Sequence, residues 1–389
     1  MILTQCAVCA TDLGLTRGKK CGRCSTRYCG AACQAQHWKE GGHDQLCKKI
    51  KRAGGAEQYN ANEKYAEAVT VAATACADDT KGQTCYICTQ ALHWKTKEGL
   101  VRMCACRGTA GFAHVSCLAE QAKILLAEAE ENNKDTSPSW RRWHKCSLCE
   151  QDYHGVVACA LSWACWKTYL GRPETDAVRS CAMTQLGNGL HEAEHYEDAL
   201  PVYEAELSTM RRLGAQEDSI LITQTNLAMT YGQLGRVEQA LQIERDVYAR
   251  RLKLQGEEDP DTLQAAINYA VSLRLTRCDE EAKALLRKTI PVARRVLGES
   301  DQLTLRMRNL YAKALCRDDS ATLGDLREAV TMLEEADRTA RRVLGGAHPL
   351  TVEIESGLRA SRAILSLITG EGDVESIREA VEAMTPGDA

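Results

Sequence analysis

The chain has 389 residues, 44% of them hydrophobic and 26% charged, with a formal net charge of -4. That length allows two or three domains and a substantial buried core. The near-neutral balance and the 5% aromatic content offer no electrostatic stripe or stacking platform for nucleic acid and no attraction to an anionic membrane.

Twenty cysteines are present, and 18 of them lie at or before Cys181, so the N-terminal half is chemically distinct from the rest. The opening residues, MILTQCAVCATD, lack the basic head and apolar stretch of a secretion signal. The expected setting is intracellular, cytoplasmic or nuclear, where thiols stay reduced and dense cysteines point to metal in preference to disulfides. Spacing agrees, because Cys6/Cys9, Cys21/Cys24, Cys85/Cys88 and Cys146/Cys149 are each separated by two residues. A two-residue gap lets one tight turn aim both sulfurs at a single ion, with tetrahedral zinc the usual occupant.

The first cluster runs from residue 6 to 47 and contains Cys6, Cys9, Cys21, Cys24, Cys29, Cys33, His43 and Cys47. Eight ligands make two four-coordinate sites. The stretch RYCGAACQAQHWKEGGHDQLC resembles the MYND finger family, with its Tyr-Cys-x3-Cys-Gln and later His-x3-Cys. The resemblance implies interleaved sites, Cys6, Cys9, Cys29 and Cys33 in one and Cys21, Cys24, His43 and Cys47 in the other. A module this small cannot bury enough surface to fold alone, so metal takes the place of a core. His37 is a second candidate ligand, with packing on a helix as its competing role. Ten Lys or Arg face three Asp or Glu in residues 1–52, which reads as a solvated basic face partly cancelled by zinc-bound thiolates.

Residues 53–80 read as a helical linker. The second cluster, within 81–154, comprises Cys85, Cys88, Cys104, Cys106, His114, Cys117, Cys146 and Cys149. This order, with histidine fifth, resembles the RING-CH (RING-variant) family. The resemblance implies a cross-brace in which Cys85, Cys88, His114 and Cys117 form one site and Cys104, Cys106, Cys146 and Cys149 the other. In RGTAGFAHVSCL, Gly108 and Gly111 permit sharp turns and Phe112 is placed to fill the space between sites. A helix is expected after Cys117, then a loop at NNKDTSPS. RING-CH domains dock ubiquitin-conjugating enzymes and act as ubiquitin ligases without a nucleophile of their own. Ile87 matches the apolar docking residue of that family. Gln121 stands where the family often has Trp, with Trp140 or Trp143 as spatial substitutes.

The run GVVACALSWACW within 155–171 is too short to span a bilayer and is expected as a buried connecting helix. From residue 172 to 389 a period emerges. Gly214, Gly256, Gly298 and Gly345 are separated by 42, 42 and 47, and Ala228, Ala270 and Ala312 by 42 each. Ala199, Ala240, Ala282 and Ala329 recur in a second apolar stretch, where closely packed helices need small side chains. The pattern resembles tetratricopeptide repeats of the kinesin light chain variety, best at LGGAHPLT, with an inserted turn at CRDDSATLGD and a C-terminal capping helix. Such arrays bind peptides or helices of protein partners. The HEAEH at 191–195 satisfies a metalloprotease signature, but the repeat alignment puts Glu194 and His195 at a turn, where the required unbroken helix cannot continue.

The whole reads as a mainly α chain: two small zinc-stapled modules, then an α-solenoid, with four zinc ions. The expected function is a RING-CH-type ubiquitin ligase whose repeats recruit substrate, and the alternative is a non-enzymatic adaptor.

Overall fold

The computed structural model describes residues 4–370 apart from 12, 15–16, 318–319 and 347. It is mainly helical, and the chain divides into two compact units, residues 1–230 and 231–389.

The first unit begins with an antiparallel pair, β1 (Lys19–Lys20) and β2 (Arg27–Tyr28), in which Lys19 faces Tyr28. Helices α1 (Ala31–Lys39) and α2 (His43–Arg52) follow. Their core is small: Leu13, Tyr28, Ile50 and Ala56 surround Cys6, Cys21, Cys24 and Cys47. The Arg27 guanidinium is buried and donates to the carbonyls of Gly14 (2.7 Å), Leu13 (3.3 Å) and Arg17, holding the preceding loop.

Helix α3 (Ala56–Ala75) leads to the second module. There α4 (Val115–Glu131) begins at His114, the short α5 (Ser137–Trp140) starts with Pro138 in its first turn, and a 3-10 turn covers Arg141–Trp143. The centre of this unit is α6 (Gly155–Tyr169), which carries the GVVACALSWACW run. Its residues from Val157 to Trp166 are all buried, which explains why no amphipathic period shows there. Val157, Ala158, Ala160 and Leu161 share one core with Cys85, Cys117, Cys146 and Phe112. Helix α6 also packs on α3 and on α7 (Ala177–Glu192), which in turn packs on α8 (Tyr196–Leu213). Gly187 and Gly189 make that packing possible, because a Cβ at Gly189 would lie 2.0 Å from Ser162 Oγ.

Helix α9 spans Glu217–Gln233. The second unit contains α10 (Val237–Gln255), α11 (Pro260–Leu275), α12 (Asp279–Val296), α13 (Gln302–Arg317), α14 (Leu323–Val343) and α15 (Pro349–Thr369). Successive helices pack as antiparallel neighbours, and α11, α13 and α15 also touch in series, which is the stacking of helix pairs. The recurring alanines, Ala240, Ala270, Ala282, Ala312 and Ala329, are buried at the crossings. Thr262, Thr304 and Thr351 occupy the first turn of α11, α13 and α15 and are each no more than 1% exposed. Gly256, Gly298 and Gly345 follow the ends of α10, α12 and α14 with φ of +85°, +94° and +87°, which only glycine adopts cheaply. Asp318 and Asp319 of the inserted turn, Ala347 of LGGAHPLT and everything after Gly370 lie outside the described residues.

The HEAEH segment breaks as its alignment implies. Helix α7 stops at Glu192, Glu194 has φ +62° and His195 caps α8, so the two histidines do not share a helix. No helix among the described residues is long and apolar enough to cross a membrane.

Candidate metal centres

All four C-x2-C pairs sit in the same backbone turn. The residue after the second cysteine, Ala10, Ser25, Thr89 or Glu150, has a φ between +54° and +64°. Its N–H donates to the carbonyl of the first cysteine, at 3.1, 2.9, 2.8 and 3.0 Å respectively. The first cysteine's own N–H returns to the carbonyl two residues past the second cysteine's, as in Cys6 to Thr11 (2.9 Å) and Cys146 to Gln151 (2.9 Å). This knuckle closes the backbone on itself and leaves both sulfurs on one side. Peptide N–H groups point at the sulfurs too: Ile87 donates to Cys85 Sγ and Leu148 to Cys146 Sγ, both at 3.4 Å.

The chain path then brings knuckles to distant partners. Four groups arise, each with its ligand atoms within 4.8 Å of one another: Cys6, Cys9, Cys29 and Cys33; Cys21, Cys24, His43 and Cys47; Cys85, Cys88, His114 and Cys117; Cys104, Cys106, Cys146 and Cys149. Sulfur separations of 3.5 Å for Cys9–Cys29, 3.9 Å for Cys21–Cys47 and 3.7 Å for Cys106–Cys146 rule out disulfides, and every one of these thiols is free. A tetrahedron with zinc–sulfur bonds of about 2.3 Å has sulfurs about 3.8 Å apart, so the cavities fit zinc.

The protonation chemistry fits as well. In each group, one sulfur is held low while a neighbour is pushed up. Burial raises Cys21, but the His43 hydrogen bond and backbone N–H groups outweigh it and bring the thiol to about 6. Burial and the adjacent Cys24 and Cys21 push Cys47 up to about 11. Hydrogen bonding with Cys29 and Cys9 pushes Cys33 to about 12, whereas Cys6 is held at about 6 because backbone donors overcome its burial. Burial also raises Cys104 and Cys117, each beside a lowered partner, Cys149 or Cys85. Thiolates this close repel, and only a cation lets all of them ionise together.

The two histidines are oriented differently. His114 turns Nδ1 toward Cys88 and Cys117 Sγ (3.4 and 3.6 Å) and donates from Nε2 to the Ala91 carbonyl (3.4 Å), which fixes the tautomer with Nδ1 free to ligate. His43 instead presents Nε2, 3.4 Å from Cys24 Sγ. His37 lies outside the group. Its Nδ1 takes the Tyr28 hydroxyl at 2.9 Å and its ring lies 4.8 Å from that of His43.

In the second module, Phe112 is 2% exposed, with the Arg102 guanidinium 4.2 Å above its ring, and its carbonyl accepts from Tyr86 N–H at 2.9 Å. Arg102 is held in turn by Asp79 and by the Gly108 carbonyl. Tyr86 and Ser147, one in each knuckle, share a hydroxyl hydrogen bond of 3.0 Å. Beside them Ile87 and Leu148 are 36% and 52% exposed. Leu148 was legible in principle, since it holds the same place in its knuckle as Ile87.

A fifth turn has the knuckle backbone without the cysteines. His93 N–H donates to Glu98 O, Lys97 N–H to His93 O, and Lys97 has φ +62°. His93 Nδ1 and Thr96 Oγ1, 2.8 Å apart, stand where sulfurs would be. Trp94 on this turn is 68% exposed. Trp143, one of the two candidates to replace the missing tryptophan at Gln121, is fully buried edge-on to Tyr169 at 5.6 Å.

Comparison with known proteins identifies part of this architecture. The MYND finger family model matches residues 6–47, and tetratricopeptide repeat models match 178–253 and 320–350. The chain carries a MYND finger and tetratricopeptide repeats. It is a zinc-finger and repeat protein built for protein–protein interaction, and each of its four Cys/His groups can hold zinc. No curated protein matches it. Among solved structures, it is similar to BtubC (BKLC) from P. vanneervenii, with 13% identity and TM-score 0.44 over 69% of this chain and 87% of that one. It is also similar to a Podosopora anserina protein described as kinesin light chain nearly identical TPR-like repeats (17%, 0.41, 59% and 97%) and to the apo form of RapI (13%, 0.41, 68% and 83%).

Proposed function

We propose that the second module is a RING-CH-type surface for a ubiquitin-conjugating enzyme, and that the chain is an E3 ubiquitin ligase whose repeats hold protein substrate. The sixteen residues of the four groups are then zinc ligands. Zinc closed in by four cysteines, or by three cysteines and a histidine, is structural and cross-links the chain, with no position left for substrate. Catalysis rests on proximity and on orienting the enzyme-bound thioester, and no side chain here enters the chemistry.

The observation that carries this reading is the pair of exposed apolar tips, Ile87 and Leu148, on knuckles joined by the Tyr86–Ser147 hydrogen bond. Apolar side chains on rigid, metal-anchored turns are poorly placed for a core and well placed to be buried by a partner. The exposed Trp94 on the neighbouring turn extends the apolar surface of the module. The test is autoubiquitination with a panel of conjugating enzymes, wild type against Ile87→Ala. Activity in the wild type, lost in the variant with zinc content retained, supports docking through this face.

The second reading is a non-enzymatic adaptor. It is favoured by the fact that the family matches fall on the finger and the repeats, both of them interaction modules. A wild-type chain inactive with every conjugating enzyme tested would favour it.

A further inference from the structure

A cleft of about 450 Å³ opens between the last part of the second module and the first repeat helix, α7, and none of the sixteen grouped cysteines and histidines lines it. Trp140, His144 and Asp152 line one wall. Gln185, Asn188 and Glu192 line the other, three and four residues apart and so on one face of α7.

The polar groups here are only partly committed. Glu192 is exposed and makes no hydrogen bond or ion pair among the described residues, and Asp152 pairs with Lys145 at 3.7 Å and lies beside His144. Gln185 is 9% exposed; its amide nitrogen donates to Ser162 Oγ at 3.2 Å, and its carbonyl oxygen has no protein partner among the described residues. Asn188 is fixed through its carbonyl oxygen, which accepts from Tyr203 Oη (2.8 Å) and Asn226 Nδ2 (3.3 Å). His144 Nδ1 is buried without a hydrogen bond. Of these atoms, His144 Nδ1 is shut off from water as well as unpaired, a cost that a ligand completing the site would relieve.

Acceptors dominate the lining: the carboxylates of Glu192 and Asp152 and the free amide oxygen of Gln185, beside the indole of Trp140. The four-cysteine group next to Asp152 adds negative charge, since four thiolates outweigh one divalent ion. We propose that this cleft binds an arginine side chain of a partner polypeptide. A guanidinium offers five donors in a planar fork, enough to meet acceptors on both walls, and its face stacks on an indole. The inference needs only the interaction architecture and is independent of the ligase reading.

The test uses the full zinc-loaded chain and a fluorescein-labelled peptide, Ala-Ala-Arg-Ala-Ala, followed by fluorescence polarisation. The control peptide carries citrulline, the neutral isostere, in place of arginine. Arginine is expected to bind about tenfold more tightly than citrulline, and the affinity to fall as salt is raised. Glu192→Gln and Asp152→Asn should each weaken arginine binding about fivefold while leaving the citrulline peptide and the melting temperature unchanged. Three results would overturn the proposal: equal binding of the two peptides, no saturable binding of the arginine peptide up to about 1 mM, or unchanged affinity in both variants.

Discussion

Gly111 offers a stringent test of the second module's metal geometry. Its φ is +86°, and a Cβ there would lie 2.6 Å from Cys106 Cβ and 2.9 Å from Cys106 Sγ. Ordinary contact begins near 3.4 Å, so Gly111→Ala must move the cysteine or the loop by roughly 0.8 Å. Metal–ligand distances tolerate only about 0.2 Å. Cys106 cannot yield without leaving its group, two of whose members are fixed by the Cys146–Cys149 knuckle. The substitution should therefore weaken zinc at this one group by on the order of 100-fold. Gly108→Ala isolates the backbone cost, because Gly108 has φ +61° but nothing within 4 Å of the added Cβ. It should cost about 1 kcal/mol and keep all its zinc. Zinc per chain, measured by elemental analysis after equilibration with a competing chelator, is expected to be four for wild type and Gly108→Ala and three for Gly111→Ala. Four tightly held ions in Gly111→Ala would refute the packing argument.

Three further outcomes are expected. Chelation should unfold helices of the first unit, where α6 shares its core with metal-binding cysteines, while the helices of the second unit survive on their own apolar core; circular dichroism with excess chelator checks this, and complete loss of helix would show one cooperative whole. Leu148→Ala should reduce ubiquitin transfer as Ile87→Ala does, with zinc retained in both, whereas Cys104→Ser should lose an ion and destabilise the module; transfer and metal content are measured side by side. Glu244 is 3% exposed in α10, where the aligned positions are Leu286 and Leu333, and burial pushes its carboxyl from the usual 4.5 up to about 8. Its folded value lies above the unfolded one, so stability falls as pH rises from about 4.5 to 8, and the stability gained by Glu244→Leu should grow across that window by up to about 1.4 kcal/mol per pH unit and be smallest below it. A pH-independent gain would disprove the buried-carboxylate account.

The MYND finger and the repeats were legible in the sequence because their signals are local and periodic. A C-x2-C pair makes its knuckle from neighbouring residues alone, and glycines 42 residues apart mark helix ends that need positive φ whatever surrounds them. The broken HEAEH followed from the same periodicity. Burial of α6 on every side was anticipated from its composition, which left no polar face. Spacing alone does not decide which knuckle meets which distant pair, because sulfur positions depend on the path of the intervening chain. The family resemblances implied the sets, and the tertiary structure brings Cys6 and Cys9 beside Cys29 and Cys33, and Cys104 and Cys106 beside Cys146 and Cys149. It also decides what no local pattern encodes: that Trp143 turns inward against Tyr169, that Trp94 faces solvent on a turn with no metal, and that the second module and α7 enclose a cleft. Exposure and cavities are properties of surfaces brought together from distant parts of the chain, whereas turns and periods are written into consecutive residues.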